Sequence, residues 1–211
     1  MINVNNFFSQ HQAIDFVCQN IKNSIEIALQ HNNRASMILT GGVTCRNFLF
    51  SLSKLEIDWS KVWIILSDER WVPVTHEDSN EKQLKELFLK YLLISPNYIS
   101  LKTKHNFPQE AIVDLEKKIN DIPLPFDCSL LSMGDDGHVA SLFPGNDWNN
   151  NIIWCLINNV YRVSLSINYF KKCLNNFVLI KKERKHILDD IQKTNDPSQP
   201  ITHFMSTAIV F

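Results

Sequence analysis

Apolar and polar positions along this chain follow two periods, and the period switches repeatedly from one end to the other. Residues 10–30 carry Ala13, Phe16, Val17, Ile21, Ile25, Ala28 and Leu29 at three- and four-residue intervals, which predicts an amphipathic helix. Residues 36–40 read as a short strand, followed by Gly41-Gly42 and a helical pattern over about 45–55. Residues 62–66 form an unbroken apolar run, the signature of a strand buried on both faces of a parallel sheet. Asp78 and Glu81 have the offset of a capping box and predict a helix running through Leu93. A solvated helix is expected over 109–121, strands over 128–133, 160–167 and 177–180, a helix near 183–193 and a last strand over 207–211. Alternation of this kind, without repeats or a Pro/Gly-rich linker, predicts one doubly wound α/β domain across 1–211. Its sheet is expected to be mostly parallel, with helices on both faces.

Composition narrows the partners. With 45% hydrophobic and 20% charged residues the chain is of ordinary globular type. A formal net charge of -1 predicts no broad basic face, so nucleic acid is not an expected partner, and an anionic ligand needs a local cluster of cations. The five cysteines are odd in number and form no C-x-x-C pair, which argues for reduced thiols and against a disulfide framework or structural zinc. The opening Met1-Ile2-Asn3-Val4-Asn5-Asn6 lacks the basic and apolar blocks of a signal peptide, and no run is long enough to cross a bilayer. The expectation is a cytoplasmic protein without a membrane partner.

Candidate chemistry gathers at three strand exits, which parallel strands bring to one rim, where α/β sheets bind ligands. After 36–40, Gly41-Gly42-Val43-Thr44-Cys45 allows close backbone approach, and a following helix would aim free N–H groups at a phosphate; a tight turn is the plainer reading. After 62–66, Ser67-Asp68-Glu69-Arg70 could meet sugar hydroxyls and developing negative charge, or could be a salt-bridged loop with Arg70 neutralising an acid. After 128–133 comes Gly134-Asp135-Asp136-Gly137-His138. A histidine at a helix start would favour the neutral base, with Asp135 or Asp136 orienting its ring; a capping histidine beside an Asx turn is the alternative. Arg162 and Lys185 matter only if the fold brings them to the same rim.

Other signals carry less. His76-Glu77-Asp78-Ser79-Asn80 is not an H-E-x-x-H zinc motif, and neither G-x-S-x-G nor G-x-G-x-x-G occurs. His11, His31, His105, His186 and His203 read as surface or capping residues, and Trp59, Trp63 and Trp71 as packing.

Taken together the motifs resemble those of 6-phosphogluconolactonases. The matching residues are Gly41-Gly42-x-Thr44, Ser67-Asp68-Glu69-Arg70-x-Val72-Pro73 with Asp78-Ser79-Asn80, and Met133-Gly134-x-Asp136-Gly137-His138-x-Ala140-Ser141-Leu142-Phe143-Pro144-Gly145. Arg162-Val163-Ser164-Leu165 and Lys185 fit later positions, so the resemblance spans about 36–185. It implies a Rossmann-like fold shared with amino-sugar-phosphate isomerases, hydrolysis of 6-phospho-D-glucono-1,5-lactone, and no metal or organic cofactor. It also implies a sugar-phosphate lactone as partner, and a monomer or small homo-oligomer is expected. Carried over, His138 would be the general base with Asp136 beside it. Gly41, Gly42, Thr44, Arg162 and Lys185 would hold phosphate, and Asp68 and Arg70 would line the sugar. The chain departs from the pattern at Val43 and Cys45, where serine and proline are usual, at the missing glycine ahead of Lys185, and in lacking the acidic, alanine-rich tail.

The expected reaction is water attack on the lactone carbonyl, with His138 taking the proton and either backbone N–H groups near Gly42 or Arg70 stabilising the oxyanion. An amino-sugar-phosphate isomerase or deaminase is the second reading. Phe143 stands where those enzymes carry a glutamate, which disfavours it. A silent sugar-phosphate sensor is the third.

Overall fold

The apolar run at 62–66 forms a strand in the interior of a seven-stranded sheet, and the chain builds outward from its neighbour in both directions. In the computed structural model, which describes residues 2–211, the order is β1 (Ile2–Asn6), α1 (Gln10–Asn32), β2 (Ala35–Leu39), α2 (Arg46–Leu52), β3 (Val62–Leu66) and β4 (Asp68–Arg70). Then follow α3 (Asn80–Leu87), β5 (Asn97–Ile99), α4 (Pro108–Ile119), β6 (Cys128–Ser132), β7 (Ile152–Ile157) and β8 (Val160–Leu165). The chain closes with α5 (Ile167–Lys171), β9 (Asn176–Ile180), α6 (Lys185–Thr194) and β10 (Ser206–Val210).

The main sheet has the order β1-β10-β9-β6-β2-β3-β5, and every neighbouring pair is parallel. From β2 the chain adds β3 and β5 on one side. It then returns to β6 and adds β9 and β10 on the other. Right-handed crossovers in opposite directions place helices on opposite faces, and the reversal between β2 and β6 leaves a crevice at their carboxyl ends. All five residues of β2 and of β9 are buried, whereas the edge strand β1 is not buried at any position. The sheet is therefore a doubly wound core with polar edges.

A second sheet, β4-β8-β7, is antiparallel. It leaves the main sheet at Ser67, whose N–H donates to Leu39 O (2.7 Å) and whose carbonyl accepts from Leu165 N–H (2.8 Å). β7 and β8 are joined by Asn158-Asn159 with φ of 50° and 61°, the paired left-handed conformation of a type I′ hairpin turn. Here the structure corrects the sequence reading: the strand expected at 160–167 lies in this ribbon, not in the parallel sheet. Residues 68–70, read as a loop, are its first strand.

Two helix expectations also change. α3 is capped by Ser79, whose hydroxyl accepts from Lys82 N–H (3.1 Å), and not by Asp78. It ends at Leu87, with a 3-10 turn over Leu89–Tyr91 where continuous helix through Leu93 was expected. β1, β5 and β7 were not anticipated. Three of the five residues of β1 are asparagine, β5 has three residues, and β7 is apolar throughout although its second half is partly exposed, so it shows no alternation. No helix among the described residues is long and apolar enough to cross a membrane.

Candidate active site

The crevice between β2 and β6 is where the three strand exits meet. Gly41, Gly42, Asp68, Arg70, His138 and Arg162 line one cavity of about 80 Å³ there, with Asn80 on its wall. This lies well below the roughly 300–1,000 Å³ of common ligand pockets, so a molecule of ordinary ligand size would extend beyond it into solvent.

At the β6 exit the backbone turns back on itself instead of entering a helix. Met133 bridges Val139, Val139 bridges Leu142, and Ala140 takes a left-handed φ of 56°. His138 therefore does not sit at the start of a helix, as the sequence reading expected. Its ring is oriented by Asp136: Oδ1 accepts the His138 backbone N–H (3.0 Å) and lies 2.5 Å from ring Nδ1. Burial acts to raise the Asp136 pKa, but the His138 backbone N–H and ring outweigh it and hold the carboxyl below its ordinary value. An ionised Asp136 keeps the proton on Nδ1 and leaves the Nε2 lone pair free. The ring lies directly over Gly134, where an added Cβ would be 2.0 Å from Cε1. Asp135, the other candidate orienter, is instead paired with the Arg184 guanidinium.

Opposite the histidine stand two arginines. Arg70 on β4 and Arg162 on β8 are direct cross-strand partners. Arg70 Nη1 donates to Asp78 O (2.7 Å), but Nε of each guanidinium is buried without a partner. Neither arginine joins an ion pair among the described residues. A buried donor without an acceptor is costly, so both guanidiniums keep hydrogen-bonding capacity to offer in the cleft.

The acids of the second exit do not neutralise Arg70. Asp68 is buried, and its two oxygens accept from Ser141 Oγ (2.7 Å) and Ser67 Oγ (2.9 Å). Glu69 is also buried and accepts the N–H groups of Arg70, Asn80 and Glu81 and the Ser79 hydroxyl at 2.7–2.9 Å. Burial pushes the Glu69 carboxyl up, and those hydrogen bonds oppose the rise. Glu69 thus pins the start of α3 to β4. That pin seats Asn80, whose Nδ2 donates to Asp68 O (3.0 Å) and whose buried Oδ1 has no donor. An added Cβ on Gly41 would lie 2.4 Å from that oxygen, so glycine is required there. The sequence suggests Glu69 as a sugar ligand or a partner of Arg70 rather than as this pin, and it assigns Asn80 no role. Their signal was present in the pairing of Ser67-Asp68-Glu69-Arg70 with Asp78-Ser79-Asn80.

Several expected residues are placed elsewhere. Gly42 has φ +95°, but its N–H already donates to Gln83 Oε1 (2.9 Å), and the next residues form a 3-10 turn, Val43–Cys45, before α2 begins. Thr44 is buried in that turn and does not line the cavity. Lys185 also lies outside it: Nζ is held by both Asp189 oxygens (2.7 Å) beside Phe7 and Lys182. Arg184 Nη1 donates to Met133 O (2.8 Å), tying α6 to the β6 exit. The remaining histidines are not all without acids, since His11 lies 3.6 Å from Asp15 and His105 lies 3.7 Å from Asp114. No three His, Cys, Asp or Glu side chains among the described residues group as metal ligands.

The structure thus gathers an imidazole oriented by a carboxylate and two guanidiniums without ion-pair partners in one switch-point cleft of an α/β fold. The chain belongs to the family described as glucosamine-6-phosphate isomerases/6-phosphogluconolactonase, whose model matches residues 9–210. It is similar to the 6-phosphogluconolactonase of Pseudomonas aeruginosa, 37% identical over 119 residues, which cover 56% of this chain and 50% of the relative. This chain thus matches about half the length of that relative. Its similarity to the 6-phosphogluconolactonase of Helicobacter pylori is 30% over 207 residues, covering 92% of this chain and 88% of the relative. The crystal structure of a 6-phosphogluconolactonase from Shewanella baltica shares the fold with a TM-score of 0.90 at 22% identity, over 100% of this chain and 97% of that one.

Proposed function

We propose that this chain, acting as one domain, hydrolyses 6-phospho-D-glucono-1,5-lactone to 6-phospho-D-gluconate in the oxidative pentose phosphate pathway. The observation that carries the reading is the His138–Asp136 pair facing Arg70 and Arg162 across one cleft. Nε2 of His138 takes a proton from water as the water oxygen adds to the lactone C1. The Arg70 guanidinium stabilises the oxyanion, and the ring oxygen leaves with the proton returned by the imidazolium. With Gly42 N–H already engaged by Gln83, the guanidinium is the better donor for that charge. Arg162 receives the phosphate beside the Gly41-Gly42 turn, whose lack of side chains leaves it room, and Asp68 and Asn80 face the sugar hydroxyls. Thr44 supports the loop from behind, and Lys185 can contribute only by leaving Asp189. Every step is assigned to side chains and water.

The amino-sugar deaminase reading is disfavoured by Phe143, whose ring packs 4.7 Å from the His138 ring where a relay would need an acid. Five unpaired cysteines support a reducing, cytoplasmic setting. The test is hydrolysis of freshly generated 6-phosphogluconolactone with the spontaneous rate subtracted. An enzyme-dependent rate that disappears in His138→Ala is expected. No acceleration, or ammonia release from glucosamine 6-phosphate, overturns the proposal.

A further inference from the structure

Phe143 makes two contacts that no hydrogen bond explains. Its ring lies against the His138 imidazole, centroids 4.7 Å apart and planes 33° from parallel. The Arg162 guanidinium carbon lies over the same ring at 5.6 Å from the centroid. One aromatic side chain thus touches both the oriented imidazole and a guanidinium that has no carboxylate partner. The imidazole is fixed in its own plane by Asp136 at Nδ1 and stands over Gly134, which leaves tilting as its free motion. Arg162 has its Nε unpartnered, so no hydrogen bond at that nitrogen fixes the plane of its guanidinium. A flat π face suits both groups, stacking on the imidazole and attracting the cation.

We propose that Phe143 is a positioning residue that sets the tilt of the base and the place of the anion-binding guanidinium together, through its two contacts. This rests on the lactonase reading. Loss of the ring then disturbs proton transfer and phosphate binding at once, whereas a change at either partner alone disturbs chiefly one.

The experiment uses the full chain and Phe143→Leu, with Phe143→Tyr as the variant that keeps the ring. Phe143→Leu is expected to lower kcat about tenfold and to raise KM several-fold, and Phe143→Tyr to recover most of both. Independently of turnover, the His138 ring resonances are followed by NMR while inorganic phosphate is added. In wild type they shift with phosphate occupancy; in Phe143→Leu they start displaced and respond weakly. Unchanged kcat and KM in Phe143→Leu, or His138 resonances identical to wild type, overturn the proposal. If Phe143→Leu unfolds, the NMR comparison of wild type with Phe143→Tyr still decides: a loss of the phosphate response in a chain that keeps its ring overturns it. A wild-type chain without lactonase activity but with the phosphate-linked shift sinks the reaction and leaves the positioning role standing.

Discussion

Two basic groups lie at the carboxyl rim of this fold, and they are treated in opposite ways. On the antiparallel ribbon, Arg70 and Arg162 face the cleft with buried, unpartnered Nε atoms. On the α6 side, Arg184 is spent on Asp135 and Met133 O, and Lys185 on Asp189. The second group is internally satisfied and works as structure: Arg184 ties the histidine turn to α6. The first has been left short of acceptors, which is expensive unless a ligand supplies them. Position at the rim is shared by both, so hydrogen-bond satisfaction separates the proposed ligand seat from scaffolding.

The largest test of that contrast removes the base. His138→Ala should lower kcat by about 10²–10⁴-fold, measured as lactone hydrolysis above the spontaneous rate, with the fold intact by circular dichroism. Gly134→Ala should approach the same loss without touching a catalytic group, because its Cβ occupies the seat of the ring. Normal activity in that variant would show that the ring position is not critical. Next come the cations. Arg162→Met should raise KM by about 10–100-fold, the worth of a charge-assisted hydrogen bond, while Lys185→Met should change it only a few-fold, as an exposed ion pair does. The reverse order in steady-state kinetics would break the comparison.

Smaller effects sharpen it. Ala140→Gly relieves a left-handed residue in the histidine turn and should stabilise the protein by about 1 kcal/mol, raising Tm by about 2–4 °C in calorimetry. The pH effect is the least. Asp136 titrates below its ordinary value of 3.8 in the folded state, so the stability it lends is full above that value and is lost as pH falls through the lower folded one. Acid unfolding of wild type and Asp136→Asn should therefore differ at neutral pH and converge in strong acid.

The three strand exits were legible in sequence because buried parallel strands leave continuous apolar runs and the chemistry follows directly. The doubly wound order followed from alternation alone. The ribbon was not recognised, although Ile152–Ile157 and Val160–Leu165 flank Asn158-Asn159, a pair suited to two left-handed residues. Missing that turn put Arg162 on the wrong sheet, though at the right cleft. The helix expected after His138 failed because Ala140-Ser141-Leu142-Phe143 is too short an apolar segment to distinguish a turn from a helix. Ser141 is drawn instead to Asp68, a contact between residues 73 apart that no local pattern encodes. The pairing of Lys185 with Asp189 has a four-residue helical spacing, which is legible in the sequence.

Arg70 and Arg162 stand directly opposite each other across two antiparallel strands. Like charges in that register disfavour the pairing of the two strands. Under the proposed function a phosphorylated ligand would supply the counter-charge and act as mortar between the strands. Occupancy and ribbon integrity are then one equilibrium, and the protein should resist heat better in phosphate than in an uncharged buffer.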